Sequence, residues 1–294
     1  MTENPYLANL ARLPAKLIRR IIARITGAPK SKHVVFLAGV QRSGTNMVMS
    51  ILERSPETTV FHESDKRAFD QFQLRDDAVI QNLARSPDPC VVFKALCDNE
   101  RVKSLMQSFP HASAIWVYRN YNDVIRSHVA LFGPTENQIH RLVVNRTSAV
   151  WRGRGMTDET WALVKKLYWP EIDPASAQAL FWYYRNQLFF DQGLDCDPSV
   201  YLLRYEDLAR DPTGQVNKLG RFLGITLTNR AVAHVRADSV REKPAFPIRE
   251  DIRDVCDRML RRLDAVRARQ ESHALEPADV LLPSAEMGRT LHQS

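Results

Sequence analysis

Apolar residues in this chain come in two patterns: short unbroken runs, and longer stretches where they recur every three or four positions. His33–Gly39, HVVFLAG, is an apolar run that ends on glycine. A run this short reads as a strand buried on both faces of a parallel sheet. Thr58–Phe61 and residues 90–93, 114–118 and 200–203 read as further strands, the third introduced by the turn Ser86-Pro87-Asp88-Pro89.

Helical periodicity fills the intervals. Residues 47–52 predict a helix that stops at Arg54-Ser55-Pro56. Asn99 is expected to cap a helix running to about Gln107. Asn120, with Asp123 three residues on, is expected to cap the next. Asp158 is the expected cap of a helix carrying Trp161 and Leu167. Asp211-Pro212 opens another, with Val216, Leu219 and Phe222 on one face and a stop at Gly224. In 251–267, Ile252, Val255, Met259, Leu260, Leu263 and Val266 keep helical spacing. Residues 132–173 read as mostly helical, a cap beside the sheet. Phe181-Trp182-Tyr183-Tyr184 lies on a helix, where four consecutive aromatics cannot all face one core. One or two are available for an acceptor pocket, with packing as the alternative. Strand and helix in alternation predict an α/β chain: a three-layer P-loop-type fold with a central parallel sheet and additional helical cap segments.

Residues 12–26 stand apart. Leu13, Leu17, Ile18, Ile21, Ile22 and Ile25 fall on one helical face, flanked by Arg12, Lys16, Arg19, Arg20 and Arg24. Such a helix either lies on an anionic membrane surface or packs on the domain with its basic side in water. Composition adds little by itself, at 44% hydrophobic and 26% charged. The net charge of +7 favours an anionic ligand, membrane surface or nucleic acid. The four cysteines form no C-x-x-C pair and show no zinc-ligand spacing. They are expected to be reduced thiols in the cytoplasm, with no metal. Peripheral contact at the inner membrane surface is the option that residues 12–26 add.

The chemistry concentrates between the first strand and its helix, at Gly39-Val40-Gln41-Arg42-Ser43-Gly44-Thr45-Asn46. Glycines let a loop wrap its N–H groups round a phosphate, and the helix that follows turns its positive end to the same anion. The spacing is that of G-x-x-x-x-G-K-[ST], but Thr45 replaces the Lys and Asn46 the Ser or Thr. A nucleotide kinase would lack its γ-phosphate clamp and its magnesium ligand. A donor without γ-phosphate or metal fits better. At the end of the fourth strand, Arg119 can offer a guanidinium fork to a second phosphate and Ser127 a hydroxyl.

These segments resemble the sulfotransferase family that uses 3′-phosphoadenosine 5′-phosphosulfate (PAPS). Its first motif, P-[KR]-S-G-T-[ST], is matched by Gln41-Arg42-Ser43-Gly44-Thr45-Asn46. Its second, R-[ND]-P-x-D-x-x-x-S, is matched from Arg119 through Asp123 to Ser127. An R-Y-E-D-L block stands at Arg204-Tyr205-Glu206-Asp207-Leu208. The resemblance implies that Arg42, Ser43, Gly44, Thr45 and Asn46 grip the 5′ phosphosulfate end and that Arg119 and Ser127 bind the 3′-phosphate. It implies a structural role for the R-Y-E-D-L block. Gln41 and Tyr121 replace motif prolines, Met47 replaces a stacking aromatic, and the late R-K-G-x-x-G-D-W block is absent. The basic stretch 236–243 is a possible substitute at the 3′-phosphate. The domain organisation that follows is a basic amphipathic extension over 1–30, a sulfotransferase-like catalytic domain over 31–272 and a loose tail over 273–294.

Sulfuryl transfer needs an in-line donor, a cation on the leaving oxygen and a base for the acceptor hydroxyl. Arg42 fits the second need, and so does Lys94 at the end of the third strand. The family often has a catalytic His two residues after this Lys; Leu96 stands there instead. Glu63 is the expected base and His62 the second choice, both just past the second strand. His128, next to Ser127, is expected to face elsewhere. The acceptor is a hydroxyl compound, whether carbohydrate, lipid, phenol or peptide tyrosine. The competing readings are a magnesium-dependent P-loop kinase and a non-catalytic phosphoadenosine-binding protein. No nucleic-acid motif is present.

Overall fold

The computed structural model describes residues 33–132, 136–235 and 244–275. The amphipathic segment 12–26, the extension 1–30 and the basic stretch 236–243 lie outside those residues. So does the tail, apart from the three residues that finish the last helix.

The five expected strands form one sheet: β1 (His33–Gly39), β2 (Thr58–Phe61), β5 (Cys90–Lys94), β6 (Ala112–Tyr118) and β7 (Val200–Arg204). A short hairpin of two-residue strands, β3 (Phe69–Asp70) and β4 (Gln73–Leu74), stands apart from it and was not read from sequence. The order is β2-β5-β1-β6-β7, and every pairing is parallel. The chain leaves β1 towards β2 on one side and leaves β6 towards β7 on the other. The crevice between the carboxyl ends of β1 and β6 is therefore a topological switch point, where open α/β sheets bind ligands.

The helices are α1 (Thr45–Glu53), α2 (Asp77–Ala84), α3 (Val102–Gln107), α4 (Tyr121–Phe132), α5 (Glu136–Val144), α6 (Asp158–Leu167), α7 (Pro174–Asp191), α8 (Tyr205–Arg210), α9 (Pro212–Leu223) and α10 (Glu250–Leu275). Alternate residues of β1 serve opposite faces of the sheet. Val34, Phe36 and Ala38 join a core with α7 and α10, and Val35 and Leu37 join a second core with α1 and α9. Two cores divided by one sheet make the expected three layers. Each fully buried large side chain contributes about 1.5–3 kcal/mol.

Asp211 caps α9 through the Gly214 N–H, Pro212 follows it, and Gly224 closes the helix in the left-handed region, all as expected. Asn120 accepts from the Asn122 N–H at the start of α4. Two expectations need correction. Thr157, not Asp158, caps α6, because its hydroxyl is placed to accept from the Thr160 N–H. Asn99 caps no helix: a 3-10 turn, Leu96–Arg101, precedes α3, and Asn99 is fully buried inside it. The aromatics of α7 mostly take the packing alternative. Phe181, Trp182 and Tyr184 are all buried and Tyr183 is half-buried, because the sheet, α4, α10 and the cap surround that helix.

Candidate active site

Gly39 ends β1 with φ 135°, and a Cβ there would overlap the Val117 carbonyl oxygen of β6. Asn99 locks this turn with both ends of its amide. The Gly39 N–H donates to Oδ1 at 3.3 Å, and Nδ2 donates to the Gly39 carbonyl at 2.8 Å. Asn99→Ala leaves two buried backbone groups unmatched. It is expected to cost about 1–3 kcal/mol in denaturant unfolding, and a loss below a few tenths would show that the turn holds itself.

The loop then makes two left-handed turns, at Arg42 (φ 70°) and Gly44 (φ 98°). Gly44 is the residue before α1. No side chain caps this helix, and its first turn has no acid. Its positive end is left for an external anion. Ser43 is fully buried, and its hydroxyl oxygen has no hydrogen-bond partner. An orphaned hydroxyl beside an uncapped helix start is what a phosphate-bearing donor would satisfy, so the residues fit such a group.

Arg42 Nε donates to Ser127 Oγ at 3.0 Å, joining the two motifs across 85 residues of sequence. Burial lowers the Arg42 pKa from its ordinary value, and the Arg119 charge lowers it further. It remains a guanidinium, and an anion between these two cations would relieve the repulsion. Arg119 is held from three sides. Its Cζ lies 4.2 Å over the Tyr205 ring, its Nη2 is 3.8 Å from Asp123 Oδ2, and its carbonyl accepts from Trp182 Nε1 at 3.0 Å. Tyr121, at the position of a motif proline, donates to Asp257 Oδ1 at 2.7 Å and so ties the start of α4 to α10.

Lys94 is 3% exposed at the end of β5. Its Nζ donates to Asn46 Oδ1 at 2.6 Å and lies 3.0 Å from Glu63 Oε1. The second strand end, the third strand end and the phosphate loop thus converge on one ammonium. Glu63 Oε2 is buried without a hydrogen-bond partner. His62, its neighbour, faces α1 instead, with Nε2 3.8 Å from Glu53 Oε2. His128, next to Ser127, lies inside the protein, and its pKa is lowered by burial, then by Arg42 and Arg152. The ring is therefore neutral at pH 7.

The R-Y-E-D-L block braces the strand ends. Glu206 accepts from the Asn120 N–H at 2.9 Å and from Arg204 Nε at 3.2 Å, while Arg204 Nη1 reaches Asp264 at 2.9 Å. Its tyrosine does more than sequence suggested: Tyr205 packs against both Gly44 and Arg119. Asn99 and the Asn46–Lys94 contact were also missed. Nothing in local spacing announces a side chain that reaches a loop 60 residues away.

The family model described as the sulfotransferase domain matches residues 32–258. No curated protein matches the chain. Among solved structures, it is similar to a sulfotransferase from Alicyclobacillus acidocaldarius, at 17% identity over 82% of this chain and 96% of that one, with a TM-score of 0.46. A sulfotransferase domain from the curacin biosynthetic pathway matches at 14% identity over 79% and 99%, with a TM-score of 0.46. A mouse sulfotransferase complexed with PAP matches at 16% identity over 83% and 86%, with a TM-score of 0.39. The family match sets aside the kinase and the non-catalytic readings. With the family's motifs meeting at the switch point and its model covering most of the sequence, the chain belongs to the sulfotransferase domain family and is an enzyme of the sulfotransferase type.

Proposed function

We propose that the chain moves a sulfuryl group from PAPS to a hydroxyl of its acceptor by in-line transfer, with Glu63 as the base. The observation that carries this reading is the Glu63–Lys94–Asn46 chain of contacts beside the uncapped start of α1. The acceptor O–H would give its proton to Glu63 while its oxygen bonds to sulfur. The sulfur–oxygen bond to the 5′-phosphate breaks, and the electron pair leaves on that phosphate as 3′-phosphoadenosine 5′-phosphate (PAP). Arg42 and Lys94 are the cations within the loop and at the strand end that would stabilise the leaving oxygen. Ser43, Gly44, Thr45 and Asn46 would hold the 5′ end, and Arg119 and Ser127 the 3′-phosphate.

The Arg42–Ser127 hydrogen bond supports placing these two phosphate sites side by side. Calorimetry tests the assignment. Without magnesium, PAP is expected to bind about tenfold to a hundredfold more tightly than adenosine 5′-phosphate, the usual worth of charge-assisted contacts to one phosphate. Arg119→Ala should remove most of that margin. Equal affinities in the unaltered protein would mean that no 3′-phosphate site exists.

A further inference from the structure

The cap turn Arg146–Arg152 carries a cation that the reaction above does not use. Val150 in this turn has φ 53° and ψ −132°. A β-branched residue held there is strained by about 1–3 kcal/mol, and such strain persists only where surrounding contacts fix it. The turn puts Val150 outward, 54% exposed, and the next residue, Trp151, inward at 8%. Arg185, fully buried in α7, supplies the fixing contact. Its Nη1 donates to the Trp151 carbonyl and its Nη2 to the Leu96 carbonyl, both at 3.2 Å. One guanidinium thus pins the Trp151–Arg152 pair to the segment two residues beyond Lys94.

Arg152 lies with its Cζ 4.4 Å over the Trp151 ring, and its buried Nε has no hydrogen-bond partner. No carboxylate pairs with it among the described residues. The neighbouring cations all have oxygen partners: Arg42 has Ser127, Lys94 has Glu63 and Asn46, and Arg146 has Asp158. A buried N–H on a permanent cation costs free energy until an acceptor reaches it. Arg152 is among the charges that act on buried His128, next to Ser127, and on buried Cys97, three residues past Lys94. Through Trp151 and Arg185 its backbone is held to Leu96, two residues past Lys94.

We infer that Arg152 receives an anionic group of the acceptor, so that the preferred acceptor is a hydroxyl compound bearing its own carboxylate, sulfate or phosphate. This rests on the sulfuryl-transfer reading and narrows its substrate class.

The test follows the arginine Nε–H signals of the ¹⁵N-labelled full chain by NMR, with the Arg152 signal assigned by its loss in Arg152→Lys. Inorganic sulfate is titrated against chloride at matched ionic strength, with and without PAP. The Arg152 signal is expected to move saturably with sulfate in both cases. 4-Hydroxyphenylacetate should displace the sulfate at least about tenfold better than its neutral analogue 4-hydroxyphenylethanol, the worth of one charge-assisted contact. A signal that moves no further than in chloride overturns the inference. So does movement abolished by PAP, which would give Arg152 to the donor, and so does equal displacement by the two phenols. Failure of PAP to bind is a separate result: it counts against the donor assignment, while the sulfate titration without PAP still decides Arg152. Arg152→Gln, its fold checked by thermal unfolding, should lose the preference for the carboxylated phenol.

Discussion

Glu63→Gln is expected to lower turnover by about 10²–10⁴-fold, the range for a positioned acid or base, while PAP affinity stays close to that of the unaltered protein. The substitution keeps shape and hydrogen-bonding capacity and removes the basic oxygen. Glu63 Oε1 is committed to Lys94 at 3.0 Å, but Oε2 is buried without a partner and is the oxygen left to accept a proton. Lys94 gains from this arrangement too. It is almost wholly buried, and a buried ammonium needs a counter-charge close by. Losing the carboxylate removes that counter-charge, while the Lys94 hydrogen bond to Asn46 remains. His62→Ala should do less, because His62 is more than a third exposed and faces Glu53. Single-turnover rates measured beside donor affinity settle the matter. If Glu63→Gln keeps most of its rate, the base lies elsewhere, and the neutral, buried His128 becomes the residue to replace next.

The parts of this molecule legible in its sequence are those whose cause is local. The strands are short apolar runs, and each of the five was read within two residues of its observed ends. The loop at Gly39–Asn46 announces itself by glycines that follow a strand and precede a helix. What escaped depends on contacts far apart in sequence. Asn99 looked like a cap because Asn often caps, yet its amide is used on Gly39, 60 residues away. The aromatic run of α7 looked too wide for one core, because periodicity counts a single buried face. That helix is enclosed on several sides, and its one indole satisfies its N–H internally: Trp182 donates to the Arg119 carbonyl. The tyrosine of Arg204-Tyr205-Glu206 gave no sign that it would sit beneath Arg119 and against the phosphate loop.

That last contact gives the second large effect. Gly44→Ala is expected to destabilise the protein by about 2–4 kcal/mol and to weaken PAP binding at least tenfold, from two separable causes. The first is backbone: at φ 98° an L-residue is strained by about 1–2 kcal/mol. The second is steric, since a Cβ on Gly44 would lie 2.8 Å from Tyr205 Cε2 and closer still to Cδ2. Tyr205 is buried, with the Arg119 guanidinium stacked 4.2 Å from its ring centre. The ring cannot retreat without moving the cation assigned to the 3′-phosphate, so a methyl group on the loop should be felt at a second phosphate site. A double-mutant cycle separates the causes. In a Tyr205→Ala background the steric part vanishes, and Gly44→Ala should then cost only the backbone part, about 1–2 kcal/mol by denaturant unfolding. If the two substitutions prove additive, the ring is no obstacle and Gly44 is required for its left-handed backbone alone. If they couple by 1 kcal/mol or more, Tyr205 is the link through which the start of α1 and the end of β6 hold a single donor.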